Sequence, residues 1–277
     1  MQQRHSAARP VGSTDRPDQS ARIALITGAA RSDGQGKIGR ALALAFARHG
    51  WQVALAVDDE AARPAARALA AEVEALGCRA AVLVADLSSE TGATALVPAC
   101  STTLGGPVCV VCHGGGDQAP VDDDTSGGYA SLLASMARHV AAPMVLGRTL
   151  AEATPEAARE DETQRAVLIH LLDDALYHPA PERLSHALAQ AALHRATSAQ
   201  ALALAPKVRV AALVYGRAPH VDALAAAACY LAAAPGVTGA TLSVDGGEHF
   251  APLVSPPANP EEQRRAERAI ARACTPI

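Results

Sequence analysis

The sequence has few aromatic residues, almost no lysine, and no long uninterrupted apolar run. Phe, Trp and Tyr make up 3% of its 277 residues, and the only lysines are Lys37 and Lys207. The most apolar stretch, residues 223–234, is short, rich in alanine and followed by Pro235, so it predicts a buried helix and not a membrane span. The net charge of −4 gives no reason to expect a nucleic acid or a lipid surface as a partner.

The cysteines do not form a convincing ligand set. Cys109 and Cys112 have the spacing of redox and zinc motifs. They lie, however, within the apolar run 108–112, and no second pair of cysteines has ligand spacing. We therefore interpret both thiols as small buried side chains and expect no metal site. Thiols kept reduced in this way are typical of a cytoplasmic protein.

The chain divides into three segments. Residues 1–21 are polar and lack the apolar core of a secretory signal, which predicts a disordered leader. Residues 22–251 predict a single domain. Residues 252–277 contain Pro256-Pro257 and then a charged stretch, so they predict a tail with a short helix.

Within residues 22–251, short apolar runs alternate with longer helical patterns. The runs show little polar alternation, which is typical of parallel strands covered on both faces. The predicted strands are 22–27, 52–57, 80–84, 108–112, 166–172, 208–214 and 241–244. The clearest predicted helices are 38–49, 64–76, 129–153, 182–204 and 221–233. This alternation predicts an α/β fold, a Rossmann-type doubly wound parallel sheet of seven strands with helices on both faces.

A glycine-rich turn follows the first predicted strand. It begins at Thr27-Gly28 and leads into the first helix, where glycines and unpaired N–H groups suit a pyrophosphate. Here the sequence resembles the short-chain dehydrogenase/reductase family, whose signature is Thr-Gly, three residues, then Gly-x-Gly. The loop carries an insertion, so either Gly34 and Gly36 or Gly36 and Gly39 stand for the later glycines.

Further stretches carry the same resemblance. Ala85-Asp86-Leu87 resembles the segment that contacts adenine, Cys112–Gly115 stands in the place of Asn-Asn-Ala-Gly, and Val244–Gly247 is similar to the C-terminal signature. The resemblance implies an NAD(H) or NADP(H) cofactor. It assigns cofactor contacts to Gly28, Arg31, Gly34, Gly36, Ile38, Asp58, Asp86, Leu87, His113, Gly114, Gly115 and Gly216.

The residues after the second strand bear on the choice of cofactor. Asp58 and Asp59 offer carboxylates that can hydrogen-bond ribose hydroxyls and repel a 2′-phosphate, which favours NAD. Arg31 favours NADP, because basic residues in this loop meet the 2′-phosphate in NADP-using relatives. Taken together, these residues favour NAD. The aspartates are also suited to capping the next helix, and a chain that binds no cofactor is a further alternative.

The expected catalytic positions hold unusual residues. The family uses Ser or Asp after the fifth strand, then Tyr thirteen residues later, Lys four beyond it, and Asn on the preceding long helix. Counting gives Asp173, His186, Gln190 and His139. Asp173 resembles the pteridine-reductase branch of the family. Neither lysine of the chain is placed to supply the missing amine.

Other groups are candidates for proton transfer. Histidine titrates near neutral pH, so His186 oriented by Asp173 is a candidate acid or base, or else a polar remnant of a decayed site. Tyr177 and Tyr215 are candidate proton donors or walls of the substrate pocket.

Three functions are consistent with these residues. The first is an atypical NAD(P)H-dependent reductase of a small molecule with a C=N or activated C=O bond, serving specialised metabolite biosynthesis. The second is a non-redox cyclase, isomerase or dehydratase that uses His186 and Asp173. The third is an inactive partner subunit. In each case the family's habit implies a homodimer or homotetramer formed through helices 129–153 and 182–204.

Overall fold

The computed structural model describes residues 22–30, 36–105, 108–113, 121–122 and 128–250. Seven parallel strands form one sheet in the order β3-β2-β1-β4-β5-β6-β7. The strands are β1 (Ile23–Thr27), β2 (Gln52–Val57), β3 (Ala80–Val84), β4 (Val108–His113), β5 (Ala166–Leu172), β6 (Val208–Tyr215) and β7 (Thr241–Val244). The predicted doubly wound sheet is confirmed, with its strands within one residue of their predicted ends.

Seven α-helices connect the strands over the described residues. They are α1 (Gly36–Arg48), α2 (Arg63–Glu74), α3 (Glu90–Leu104), α4 (Tyr129–Met136), α5 (Ala142–Ala153), α6 (Leu184–Leu204) and α7 (Val221–Ala233). The predicted leader, 1–21, and tail, 252–277, lie outside the described residues. None of the described helices is long and apolar enough to cross a membrane.

Two helices depart from the prediction. Helix α3 was not predicted, because its apolar residues do not follow one face and Pro98 lies inside it. Its start is marked by Ser89, whose hydroxyl accepts a hydrogen bond from the N–H of Gly92. The predicted helix 129–153 is continuous but contains a π-helical turn, Ala137–Ala141, between α4 and α5. Such turns often lie at functional sites.

The core lies on both faces of the sheet. Side chains of α1, α2 and α7 pack on one face, and those of α3, α5 and α6 pack on the other. Cys109 and Cys112 of β4 belong to these opposite layers, because residues three apart on a strand point to opposite faces. Burial raises the pKa of Cys112 to about 12 and also raises that of Cys109. The two thiols are therefore packing groups, as the apolar run predicts.

All seven strands are parallel, so their carboxyl ends meet at one edge of the sheet. The chain order reverses between β1 and β4, which lie side by side at the centre. This switch point is where open α/β sheets form their ligand crevice. The residues that follow β1, β2, β5 and β6 are therefore brought to one region.

Candidate active site

The carboxyl end of β5 delivers a buried carboxylate. Asp173 follows the fully buried strand β5 and is 3% exposed. One oxygen, Oδ1, accepts a hydrogen bond of 3.1 Å from the N–H of Ala175, which fixes the side chain at the start of a short 3₁₀ turn. The other oxygen, Oδ2, points to α6.

His186 and Gln190 lie one turn apart on α6, so they share the face that meets Asp173. Nε2 of His186 lies 2.7 Å from Oδ2 of Asp173, and both side chains are buried. Oε1 of Gln190 accepts a hydrogen bond of 3.4 Å from the N–H of Asp173. The amide nitrogen of Gln190 lies 3.4 Å from Nε2 of His186. The structure therefore brings together three of the four residues that counting selected.

His139 completes this cluster from the π-helical turn. Its ring stands edge-on to that of His186, with centroids 5.0 Å apart and an interplanar angle of 80°. His139 is 8% exposed and also lines a small cleft with Gly28. Nδ1 of His186 is buried and has no hydrogen-bond partner among the described residues. It is therefore the atom of the cluster with unused capacity to give or take a proton.

The two candidate tyrosines lie apart from this cluster. Tyr177 is 36% exposed, its hydroxyl lies 3.3 Å from Oγ of Ser243, and its ring lies 5.1 Å from that of His249. Tyr215 is 2% exposed and packs in the layer formed by α1, α2 and α7, on the face of the sheet opposite α6. Alternation along β6 explains this, because the preceding Val214 packs on the α6 side. The expectation that Tyr215 borders the pocket is therefore corrected: its ring is in the core.

The glycine-rich turn has the geometry of a close approach. Gly28 has a φ of 63°, and its N–H donates to the carbonyl of Ala56. A Cβ at position 39 would overlap the backbone of Ala29, so α1 lies directly against the turn. Gly36 begins α1, and Ile38 is buried beneath its first turn. Arg31, Gly34, Gly114, Gly115 and the side chain of His113 lie outside the described residues.

An ion pair crosses the cleft at the end of β2. The guanidinium of Arg138 pairs with the carboxylate of Asp58, and both side chains are 30% exposed. They line the cleft with Gly28, Leu87 and His139, and the cleft encloses about 20 Å³. Sequence reasoning missed Arg138. Arg138 could have been found from the sequence, because it directly precedes His139 on the long helix.

Asp86 makes its own turn. Its Oδ1 accepts hydrogen bonds from the backbone and the hydroxyl of Ser88, at 2.9 and 2.6 Å, and these lower its pKa. Leu87, the next residue, lies in the cleft. Asp86 and Leu87, both predicted to contact the cofactor, therefore lie in a turn that the hydrogen bonds of Asp86 to Ser88 hold in place.

The end of β6 carries an acidic neighbour. The carboxylate of Glu248 packs against Gly216 and accepts a hydrogen bond of 2.8 Å from the N–H of Arg217. Sequence reasoning missed Glu248. Nearby, Asp245 is buried, but hydrogen bonds from Gly247 and His249 outweigh the burial and lower its pKa.

Comparison with known proteins decides the family. The family model for short chain dehydrogenases matches residues 22–217. The chain belongs to the short-chain dehydrogenase family.

Solved structures of this short-chain dehydrogenase's fold agree with the assignment. FolM alternative dihydrofolate reductase 1 from Brucella canis, complexed with NADP, is 25% identical over 87% of this chain and 99% of its own, with a TM-score of 0.72. The Brucella suis protein of that name, also in complex with NADP, is 26% identical over 83% and 95%, with a TM-score of 0.70. Acetoin dehydrogenase from Enterobacter cloacae, at 20% identity over 85% and 99% and a TM-score of 0.73, shows the fold alone. No curated protein matches this chain.

The residues that line the cleft of this short-chain dehydrogenase fit the adenosine half of a dinucleotide. Gly28, Asp58 and Leu87 line the cleft at the switch point. Arg138 adds a cation beside the Asp58 carboxylate, where a ribose or its phosphate would be recognised. Among the described residues, no group of three or more His, Cys, Asp or Glu is placed to hold a metal ion.

Proposed function

We propose that this chain is an NADP(H)-dependent reductase of a small molecule with a C=N or activated C=O bond, in which His186 held by Asp173 supplies the proton. The observation that carries the proposal is the 2.7 Å hydrogen bond between Oδ2 of Asp173 and Nε2 of His186. A buried carboxylate that accepts the Nε2 proton orients the ring and leaves Nδ1 to exchange a proton with the substrate. Nδ1, the buried ring nitrogen without a partner among the described residues, is then the proposed donor.

The proton balance suits a C=N bond. The cofactor supplies a hydride to carbon, and nitrogen takes one proton. A protonated imine is already an electrophile, so it needs no strong acid at the moment of hydride transfer. An imidazolium at His186 can protonate the nitrogen and afterwards recover its proton from solvent. The absence of a lysine near His186 is tolerable for such a substrate.

The neighbours named for dihydrofolate reduction favour the same substrate class. The two Brucella proteins, at 25% and 26% identity, are named alternative dihydrofolate reductases. The bond of dihydrofolate that is reduced is a C=N bond. We extend to this chain only the class of bond, a C=N in a small heterocycle.

Arg138 is the basis for proposing NADP(H). Asp58 alone would disfavour a 2′-phosphate, but its charge is neutralised by Arg138. A guanidinium that can turn from a carboxylate to a phosphate provides a charge-assisted contact for NADP. The NADP complexes of the Brucella proteins agree with this choice.

The closed cleft favours a second candidate function. The Asp58–Arg138 pair crosses a cleft of about 20 Å³, so a dinucleotide must displace side chains to enter. A chain that keeps this pair would use the Asp173–His186 pair for proton transfer alone, as a cyclase, isomerase or dehydratase does. Dinucleotide binding separates the two candidates.

The test has two steps on the purified full chain. Calorimetry measures the binding of NADPH and NADH, and absorbance then follows NADPH oxidation with a cyclic imine and with the matching cyclic ketone. We expect NADPH to bind and the imine to be reduced faster than the ketone. Absence of binding for both dinucleotides would overturn the reductase in favour of the second candidate. Binding with no turnover of imine or ketone would overturn the substrate class.

A further inference from the structure

A second cavity lies at the opposite edge of the sheet from the cleft. It has a volume of about 170 Å³ and is lined by the amino ends of β4, β5 and β6, by the end of α7, and by the residues preceding β1, β2 and β5. Three arginines line it: Arg22, Arg165 and Arg209. Because the strands are parallel, this edge is separated from Asp58 and Asp173 by the full length of the sheet.

Arg209 is a buried cation that forms no ion pair with a carboxylate among the described residues. It is 8% exposed, and its guanidinium donates to the carbonyls of Leu231, Ala232 and Val237 at 2.9, 2.9 and 3.2 Å. These contacts cap the end of α7 and use three of its five N–H groups. The remaining two have no partner among the described residues. A buried charge satisfied only by carbonyl groups is costly unless an opposite charge comes near.

Arg22 adds a second cation. Its guanidinium lies 5.6 Å from the centroid of the Trp51 ring, and this ring is its only contact among the described residues. No described residue accepts a hydrogen bond from its guanidinium, so these N–H groups can donate to a ligand, while Trp51 provides a rigid wall.

Arg165 is the one arginine of the cavity with an acidic partner. Its Nη1 lies 3.0 Å from Oε1 of Glu162, which also lines the cavity, and its Nε donates to the carbonyl of Ala158. Its side chain is 18% exposed, compared with 58% for that of Glu162. Glu162 thus neutralises one of the three cations and faces solvent.

The lining therefore carries excess positive charge in a confined space. Three guanidinium groups and one carboxylate leave two positive charges on the described lining residues. Burial lowers the pKa of Arg209, and the neighbouring charges of Arg22 and Arg165 lower it further, while Glu162 acts in the opposite direction. Repulsion of this kind is relieved by an anion placed between the three groups.

We propose that this cavity binds a small tetrahedral oxyanion, such as phosphate or the phosphate group of an ester. Arg22 and the unused N–H groups of Arg209 would donate to its oxygens, and Arg165 would contribute once it shares its Glu162 contact. The cavity of about 170 Å³ accommodates a phosphate with a short organic substituent. The carboxylate of Glu162, which also lines the cavity, would repel a ligand that carries further negative charge. This site is independent of the proposed reductase activity.

Trp51 makes the proposal directly measurable, because it is the only tryptophan of the chain and lines the cavity. Inorganic phosphate and glycerol phosphate are titrated separately into the full chain while tryptophan emission is recorded, with sodium chloride at matched ionic strength as reference. The variants are Arg22→Gln, Arg165→Gln and their combination. Arg148→Gln, whose side chain is exposed and lies 3.7 Å from Glu90, is the matched charge control. Arg138→Ala removes a cation of the cleft, so it shows whether phosphate binds there and not in the second cavity.

We expect saturable phosphate binding in wild type, Arg148→Gln and Arg138→Ala, and at least tenfold weaker binding in the double variant. Tighter binding of glycerol phosphate than of inorganic phosphate would identify an ester as the ligand, and the reverse would identify the free ion. Either result supports an oxyanion site. The proposal is overturned if phosphate gives no saturable change in wild type, or if the double variant binds as tightly as Arg148→Gln. Circular dichroism of each variant checks that the substitution leaves the fold intact.

Discussion

The guanidinium of Arg138 pairs with the carboxylate of Asp58 across the cleft that Gly28 and Leu87 line. This pair reverses the interpretation of Asp58 taken alone, since a neutralised carboxylate no longer repels a 2′-phosphate. It links the end of β2 to the π-helical turn, and it places the proposed cofactor determinant, Arg138, one residue from His139.

Replacing Arg138 is expected to change cofactor choice. In Arg138→Ala, Asp58 keeps its charge and the 2′-phosphate loses a charge-assisted donor, so NADPH should bind about tenfold more weakly. NADH, which lacks that phosphate, should bind with unchanged or improved affinity. Calorimetry on this variant and on Arg148→Ala measures both. Equal weakening for NADPH and NADH would show that Arg138 acts on the fold of the cleft and not on the phosphate.

The close approach of α1 to the glycine-rich turn is expected to tolerate no side chain at position 39. A Cβ in Gly39→Ala would overlap backbone atoms of Ala29, and backbone cannot move away as a side chain can. We expect a loss of about 2 kcal/mol in the free energy of unfolding. Gly236→Ala is the control, because a Cβ there meets nothing within 4 Å. Chemical denaturation of both variants gives the comparison, and equal stability would contradict the packing of this turn.

Buried His170 is expected to make stability depend on pH. It is 0% exposed, Nδ1 lies 3.0 Å from Oγ1 of Thr197, and burial lowers its pKa to about 3. The Thr197 hydroxyl donates to the carbonyl of Leu193, so Nδ1 of the neutral ring carries the proton. Because the folded pKa lies below the unfolded value, the unfolded chain binds more protons, and stability falls as the pH drops from about 6.5 toward 3.

The size of this effect is measurable with one variant. The shift of His170 should contribute about 3 kcal/mol of lost stability between pH 7 and pH 4. In His170→Leu, where Thr197 keeps its bond to Leu193, the loss over that interval should be smaller by this amount. His194→Leu is the control, because His194 is partly exposed and lies on α6, the helix that carries Thr197. An identical pH dependence in His170→Leu and wild type would show that His170 is accessible to protons.

Exposed apolar side chains on α4 and α6 are expected to form a subunit contact. The two helices pack together, and they leave Tyr129, Leu133, Leu184 and Leu188 between 48% and 70% exposed. The two residues on each helix are one turn apart and share a face, and exposed apolar faces of this kind are commonly covered by a partner subunit. This agrees with the association through helices 129–153 and 182–204 that the sequence predicts.

Sedimentation velocity tests the contact. Wild type should sediment as a dimer or tetramer, and Leu133→Glu with Leu188→Glu should dissociate it. Leu76→Glu, at a residue that is 45% exposed after α2, should leave the assembly intact. A monomeric wild type would contradict the prediction.

The strands were predictable because buried parallel strands are short apolar runs, and β2, β3, β5 and β7 have their predicted ends. Helix α3 could not be predicted, because Pro98 and several threonines lower the helix propensity of a segment that tertiary packing stabilises. Asp173, His186 and Gln190 could be predicted by counting residues, because their positions after β5 and along α6 are fixed by regular secondary structure.

What counting could not give were contacts between distant segments. The Asp58–Arg138 pair joins residues 80 apart in the chain, and the packing of Glu248 on Gly216 joins two loops. The core position of Tyr215 depends on which face of β6 it occupies, and the end of a strand does not reveal this. Such relationships come from the fold and not from any local pattern.

The pair of Asp173 and His186 is the central claim, and the turnover number of the His186→Ala variant tests it most directly. With NADPH and the cyclic imine, kcat should fall by at least about 100-fold, because a positioned proton donor is lost. The Kd for NADPH should stay unchanged, and His194→Ala should match wild type in both quantities. A kcat for His186→Ala equal to that of His194→Ala would contradict the account, since protons would then reach the substrate without this pair.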